Sequence, residues 1–307
     1  MPRVILLTTD FSELSRRAFP HAVRLSRAMG LPIRLLNVFD TLASFDPLVP
    51  VPGSWQARIE DAALQHLTRE AQPLRDAGAP VEVRFRLGLP ALEILSDIED
   101  EVGAVVMATH GHGGIRRLLL GSTSSKVLRR SPVPMLVVGP EAPDRDVTNI
   151  LLPVDFSEVA TGALPEAMAL ARGYSARVEL YHAVVPQYSP LVVTGLGAEA
   201  GALEESHADR RVRTDASLAK LAESAAGFGV EVSTVVEEGS HAAESICSRA
   251  ETSGAGLVIM PAHGTRGFSR LLLGSVTEEV AHRCRRPVLV LKPPRLGREG
   301  GGAGGHA

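Results

Sequence analysis

The chain has 307 residues, 45% of them hydrophobic and 22% charged, and a net charge of −3; a length of this order predicts about two domains. The charge excludes a dedicated nucleic-acid binder, which needs a basic excess to neutralise phosphates, and an aromatic content of 4% provides no stacking platform for single strands. No apolar stretch approaches the roughly 20 residues of a membrane span, the amino terminus reads straight into a strand without an export signal, and Cys247 and Cys284 have no zinc-ligand spacing, so a soluble cytoplasmic protein with reduced thiols is expected.

In chain order, short apolar runs alternate with segments of helical period, the pattern of βαβ units around a parallel sheet. Strands are predicted at 3–9, 32–39, 81–87, 103–108 and 133–138. A helix from Glu13 to Met29 carries apolar residues at Leu14, Ala18, Ala22 and Leu25, with Ser12 as N-cap and Gly30 at its end. Segment 40–54, rich in proline, reads as a loop before a helix from Trp55 to Ala77. Runs such as Ala104-Val105-Val106-Met107 are apolar at every position, as strands covered on both faces must be. The polar stretch from Gly139 to Asp146 reads as a short linker between domains that touch.

After the linker the chain is written a second time. Ile5-Leu6-Leu7-Thr8-Thr9-Asp10-Phe11-Ser12-Glu13 recurs as Ile150-Leu151-Leu152-Pro153-Val154-Asp155-Phe156-Ser157-Glu158, and Leu118-Leu119-Leu120-Gly121-Ser122 recurs as Leu271-Leu272-Leu273-Gly274-Ser275. Only two copies of so long a period mean tandem domains and not a solenoid. The second set of strands is predicted at 148–154, 176–184, 230–236, 255–261 and 287–292, with a net insertion of eight residues between the two landmarks, assigned to the long helical region. Pro186 to Gly201 takes the place of the first copy's loop, and Gly297 to Ala307 reads as a disordered tail. The apolar last strands are predicted to pair, within the chain or across a homodimer, because open they would be aggregation hazards.

Ligands of an open parallel sheet sit outside the carboxyl ends of its strands, where the winding reverses. Two loops per copy reach that position. The first carries Asp10 or Asp155 just ahead of a serine N-cap, where a carboxylate serves either a ligand or the helix start. The second runs from Ala108 through Thr109, His110, Gly111, His112, Gly113 and Gly114 to Gly121 and Ser122, and in the other copy from Pro261 through Ala262, His263, Gly264 and Gly267 to Gly274 and Ser275. Glycines let backbone approach an anion, and the helix opened by Ser122 or Ser275 presents free N–H groups to phosphate. Ser275 and Glu278 have capping-box spacing, which would satisfy part of the second helix start internally. Arg116, Arg117 and Arg270 fall on the same loops, where solvated arginines are the ordinary reading. Neither copy has a P-loop or a dinucleotide fingerprint, and no nucleophile elbow is present.

These residues resemble the universal stress protein family: strand-Asp-Phe-Ser-Glu at the start, His-Gly, nine residues and Gly-Ser near the end, then a helix and a strand such as Pro287-Val288-Leu289-Val290-Leu291. The resemblance covers residues 1–140 and 147–293 and leaves 294–307 as the tail. It implies α/β architecture with two flavodoxin-like (adenine-nucleotide-hydrolase-like) domains, each a five-stranded parallel sheet with helices on both faces, paired through their last strands. It also implies ATP as ligand, with or without Mg²⁺. Carried over by position, the adenine and ribose end would meet Thr8, Thr9, Asp10 and Val38 in the first copy and Pro153, Val154, Asp155 and Ala183 in the second. Phosphates would meet Ala108, His110, Gly111, Gly114, Gly121, Ser122 and Thr123, or Gly264, Gly267, Gly274, Ser275 and Val276. The family's first loop glycine is replaced by Ala108 and by Pro261. Alanine keeps its amide, whereas proline removes a donor and fixes φ, and Ala262 lacks the hydroxyl of Thr109, so the first site ranks above the second.

The reading that follows is a stress-response protein in which bound adenine nucleotide acts as a regulatory switch and is not turned over. An interaction module with degenerate sites is the alternative, and slow ATP hydrolysis is a third reading with no evident base beyond Asp10 or Asp155 and no carboxylate cage for Mg²⁺.

Overall fold

The computed structural model describes residues 4–41, 53–98, 101–109, 121–185, 207–262 and 273–292. The first copy runs β1 (Val4–Thr8), α1 (Glu13–Arg16), α2 (Phe19–Met29), β2 (Ile33–Asp40), α3 (Gly53–Glu70), α4 (Gln72–Asp76), β3 (Val81–Gly88), α5 (Pro90–Asp97), β4 (Val102–Ala108), α6 (Ser122–Arg130) and β5 (Met135–Val138). The second repeats it as β6 (Asn149–Pro153), α7 (Glu158–Gly162), α8 (Leu164–Tyr174), β7 (Arg177–Val184), α9 (His207–Ala225), β8 (Val232–Glu238), α10 (Ala242–Thr252), β9 (Leu257–Pro261), α11 (Ser275–Arg283) and β10 (Val288–Leu291). Residues 42–52 of the first copy's proline-rich loop, all of Pro186 to Gly201 and the glycine-rich tail lie outside the described residues.

All ten strands occur where the apolar runs predict them, five parallel strands to each copy, and the two sets join through their last strands into one sheet. Its order is β3-β2-β1-β4-β5-β10-β9-β6-β7-β8. Each half is parallel, and the halves join antiparallel through β5 and β10, with Leu136 opposite Leu289. The last strands therefore pair within the chain, and each gains a neighbour on both sides, which removes two apolar edges.

Alternate residues of one strand serve opposite faces. Ile5 and Leu7 belong to one apolar cluster and Val4 and Leu6 to the other, and both clusters run across the β5–β10 seam into the second copy. On the first face α2 crosses α8, and Gly173 brings α8 so near that a Cβ there would lie 2.2 Å from the carbonyl oxygen of Ala28. On the second face Arg129 of α6 pairs with Glu278 of α11, and Lys292 Nζ donates to the Leu128 carbonyl at 2.5 Å. The linker is bound down as well: Arg24 holds Asp144 at 2.5 Å, and Arg145 donates to the carbonyls of Gly254 and Ala255 at 2.8 and 2.7 Å.

Two predicted helices are interrupted, each by a proline, and the second copy repeats the first of these breaks. The helix read as Glu13 to Met29 stops at Arg16 and restarts at Phe19, because Pro20 supplies no N–H and its ring clashes with the carbonyl four residues back. Pro165 divides α7 from α8 in the same way, and Pro73 divides the segment read as Trp55 to Ala77 into α3 and α4. The predicted termini hold: Ser12 accepts from Ser15 N, Ser157 accepts from Ala160 N, and Gly30 closes α2 in the left-handed region at φ 65°.

A buried charge cluster braces α5 and α10 against their sheets, with its signs exchanged between the copies. In the first, Asp97 of α5 is fully buried and meets Arg34 of β2 and Arg84 and Arg86 of β3, at 3.4, 2.6 and 3.1 Å. In the second, Arg249 of α10 occupies the place of Asp97 and Glu179 of β7 that of Arg34; they form a double hydrogen bond of 2.7 and 2.8 Å. Glu237 of β8, matching Arg86, completes the set at 3.0 Å.

Candidate functional site

The order β2-β1-β4 places the reversal of winding between β1 and β4, and β7-β6-β9 places the second between β6 and β9. Leu7 lies opposite Val106, so β1 and β4 deliver their carboxyl ends side by side. At the first of these ends the backbone is fixed from both sides. Thr9 N donates to Leu36 O at 2.9 Å, and Asn37 Nδ2 donates to Thr9 O at 2.8 Å. The Thr9 hydroxyl lies 3.0 Å from Ser15 Oγ and accepts from Phe11 N at 3.0 Å. Asp10 is half-buried, and its Oδ1 accepts from both the N and Oγ of Ser12, at 3.0 and 2.6 Å. That oxygen serves the helix start, one of the two roles the sequence leaves open for it.

Between Asp10 and the cap, Phe11 adopts φ 65°, and Phe156 repeats it at φ 59°. Left-handed backbone at a bulky residue costs about 1–3 kcal/mol and persists only where the surroundings hold it. The holding contacts are the two hydrogen bonds to the aspartate and an aromatic neighbour: Phe11 stacks on His66 of α3 with centroids 4.2 Å apart, and Phe156 leans on His182 of β7 at 4.9 Å.

The far side of the site is the junction of β4 with α6. Ser124 Oγ donates to Ala108 O at 2.9 Å, and Gly121 N donates to Thr109 O at 2.6 Å. The second copy repeats this with Thr277 Oγ1 to Pro261 O and Gly274 N to Ala262 O, both 2.8 Å. The N-caps are Gly121 and Gly274, with no side-chain hydrogen bond to the first turn. Ser122 and Ser275 open these helices as expected, each standing as the first helical residue after its glycine cap. Both serines are exposed first-turn residues, and the capping box of Ser275 and Glu278 does not form, because Ser275 stands one place too late and Glu278 is engaged by Arg129.

Thr8, Thr9, Asp10, Val38, Ala108, Gly121, Ser122 and Thr123 thus lie on elements that meet at one end of the sheet, as do Pro153, Val154, Asp155, Ala183, Gly274, Ser275 and Val276 at the other. His110, Gly111, Gly114, Gly264 and Gly267 fall outside the described residues, together with His112, His263, Arg116, Arg117 and Arg270. Among the described residues no group of three His, Cys, Asp or Glu side chains is placed to hold a metal ion.

The two sites differ beyond the loop glycine. Val154 and Ala160 stand where Thr9 and Ser15 stand in the first copy, so a hydroxyl pair becomes an apolar one. His182 replaces Asn37, and its Nδ1–H donates to Val154 O at 2.7 Å. Asn37 and His182 escape the sequence reading although a signal exists: each is a polar residue at the same place of the second strand in both copies.

The model of the universal stress protein family matches this chain twice, over residues 1–139 and 147–292. The chain belongs to the universal stress protein family. A universal stress protein of Mycobacterium tuberculosis is 28% identical over 282 residues, covering 86% of this chain and 88% of the relative. One of Methanocaldococcus jannaschii is 36% identical over 147 residues, which is 48% of this chain and 83% of that protein. The crystal structure of a universal stress protein from Archaeoglobus fulgidus superimposes with a TM-score of 0.68 at 25% identity, covering 94% of this chain and 98% of the other. No helix among the described residues is long and apolar enough to cross a membrane.

Proposed function

We propose that the chain binds an adenine nucleotide, ATP with Mg²⁺, at the carboxyl ends of β1 and β4, and that occupancy acts as a regulatory switch. The observation that carries this reading is the start of α6: an uncapped helix N-terminus, anchored by Gly121 N to Thr109 O and set beside the end of β1 at the point where the winding reverses. Free first-turn N–H groups and the helix dipole favour a phosphate there. The residues present fit such a ligand. Thr8, Thr9, Asp10 and Val38 would line the nucleoside end, and Ala108 and the backbone of Gly121, Ser122 and Thr123 would face the phosphates.

The second site, around Pro153, Val154, Asp155, Ala183, Gly274, Ser275 and Val276, is assigned the weaker affinity. Pro261 offers no N–H, and Val154 brings a methyl where Thr9 brings a hydroxyl. Binding without turnover is favoured because one oxygen of Asp10 is committed to Ser12. The alternative, an interaction module, loses its simplest surface, since β5 and β10 cover each other.

Equilibrium dialysis with labelled ATP and Mg²⁺ tests the assignment through Gly121→Asp and Gly274→Asp, which put a carboxylate where phosphate should lie. Gly121→Asp is expected to weaken binding by at least about tenfold, a loss of roughly 1.4 kcal/mol, and Gly274→Asp to change it little. Retention in both variants would place the ligand elsewhere, and loss in Gly274→Asp alone would reverse the order of the sites.

A further inference from the structure

The pairing of β1 with β2 stops one hydrogen bond early. In a parallel pair every second residue of a strand turns both its N–H and its C=O towards the same neighbour. On β2 these residues include Leu36 and Val38, because Thr9 N donates to Leu36 O at 2.9 Å. The ladder ends at Thr8 opposite Leu36, and its next bond would run from Val38 N to Thr9 O. That bond does not form, and Asn37 Nδ2 donates to Thr9 O instead, at 2.8 Å. β2 itself continues past Val38, paired to β3 as far as Asp40 opposite Gly88.

The second copy repeats the device with a different side chain. Its ladder ends at Pro153 opposite Tyr181, and Val154 N donates to Tyr181 O at 2.9 Å. His182 Nδ1–H then takes Val154 O at 2.7 Å, where Ala183 N would continue the series. Asparagine and histidine share one feature that matters here, a nitrogen donor bonded to Cγ. Asn37 is buried in line with Ile33 and Leu35 of the first apolar cluster, where an amide is tolerated only with a hydrogen-bond partner. Two chemically different residues thus hold the same carbonyl, which marks the bond itself as the shared requirement.

We infer that Asn37 is a positioning residue of the first site, with His182 as its counterpart. By taking the carbonyl at the end of the first strand, each side chain keeps the next backbone N–H of the second strand out of the ladder. Val38 and Ala183 then turn that N–H towards the space beyond the strand end, where it can donate to an acceptor atom of the ligand. The identity of the ligand rests on the nucleotide reading; the release of the N–H rests on backbone geometry alone.

Residue-resolved amide hydrogen exchange on the full chain, with and without ATP and Mg²⁺, separates the two. Asn37→Leu keeps a branched side chain and removes the donor, so the freed Thr9 carbonyl is expected to capture Val38 N–H and slow its exchange at least about tenfold. A merely structural defect would speed that exchange. Asn37→His should restore the parent's rate. ATP should protect Val38 in the parent and in Asn37→His, and Asn37→Leu should bind ATP at least about tenfold more weakly. His182→Leu asks the same of Ala183 without ATP, and decides the point if the first-copy variant does not fold. Exchange of the released N–H that is unchanged or faster in the leucine variants would overturn the proposal whether or not nucleotide binds, as would ATP binding that leaves Val38 unprotected. A parent that binds no ATP, with the exchange pattern as expected, would overturn instead the nucleotide reading and the ligand role given to Val38.

Discussion

At the scale of single residues, the structure separates side chains that build the site from those that hold the fold. His21 belongs to the second kind: it is buried on α2, and burial, then the charge of Arg24, lower its pKa from 6.5 to about 4 against the opposing pull of Asp144. Its native pKa lies below its unfolded value, so the neutral ring's contribution to stability is complete above about pH 6.5 and is lost as pH falls towards 4. The loss is on the order of 3 kcal/mol. Urea unfolding between pH 7 and pH 4.5 should show the parent losing more stability than His21→Asn, and equal slopes would refute this. The sequence displays Thr9, Asp10 and Gly121 because they belong to a repeated motif. It hides His21, whose burial depends on helix docking, and the stacking of His66 on Phe11, because α3 meets the first loop only after the chain has folded.

At the scale of elements, the exchanged charges of the two buried clusters direct each helix to its own sheet. Were α5 to dock on the second sheet, Asp97 would face Glu179 and Glu237; were α10 to dock on the first, Arg249 would face Arg34 and Arg86. Tandem copies of one fold invite such misassembly, and like charges brought together in a buried site oppose it. Asp97→Asn removes the carboxylate that Arg84 and Arg86 share, while Arg34 keeps Glu82 and Glu101, and is expected to cost about 3–5 kcal/mol in urea unfolding. Asp97→Arg should cost more, and adding Arg34→Glu and Arg86→Glu to it should restore much of the loss by recreating the second copy's arrangement. A change under about 1 kcal/mol for Asp97→Asn would remove the cluster from the account. Strands were legible as elements because their apolar runs exceed any local ambiguity, whereas helix interruptions at Pro20, Pro73 and Pro165 were legible residue by residue yet masked by an apolar period that continues through them.

At the scale of the whole molecule, two copies become one body through the β5–β10 seam, the α2–α8 crossing and the bound linker. The sequence shows that the last strands must be covered; it does not show by what, because a self-pairing edge serves equally within a chain and between chains. Gly173→Ala tests the crossing, since its methyl would meet the backbone of Ala28 and not a movable side chain. The expected cost is about 1–3 kcal/mol with a lowered Tm, and an unchanged Tm would show that α8 can retreat without loss. The same repetition that fuses the copies sets their sites apart, because each change in the second, at Pro153, Val154, Pro261 and Ala262, removes a polar group from a frame that otherwise remains. Calorimetric titration of the unmodified protein with ATP and Mg²⁺, paired with its thermal unfolding, addresses this most directly. One saturable event per chain and a raised Tm are predicted; no heat and no shift in Tm would contradict the nucleotide switch and leave the interaction module as the better description.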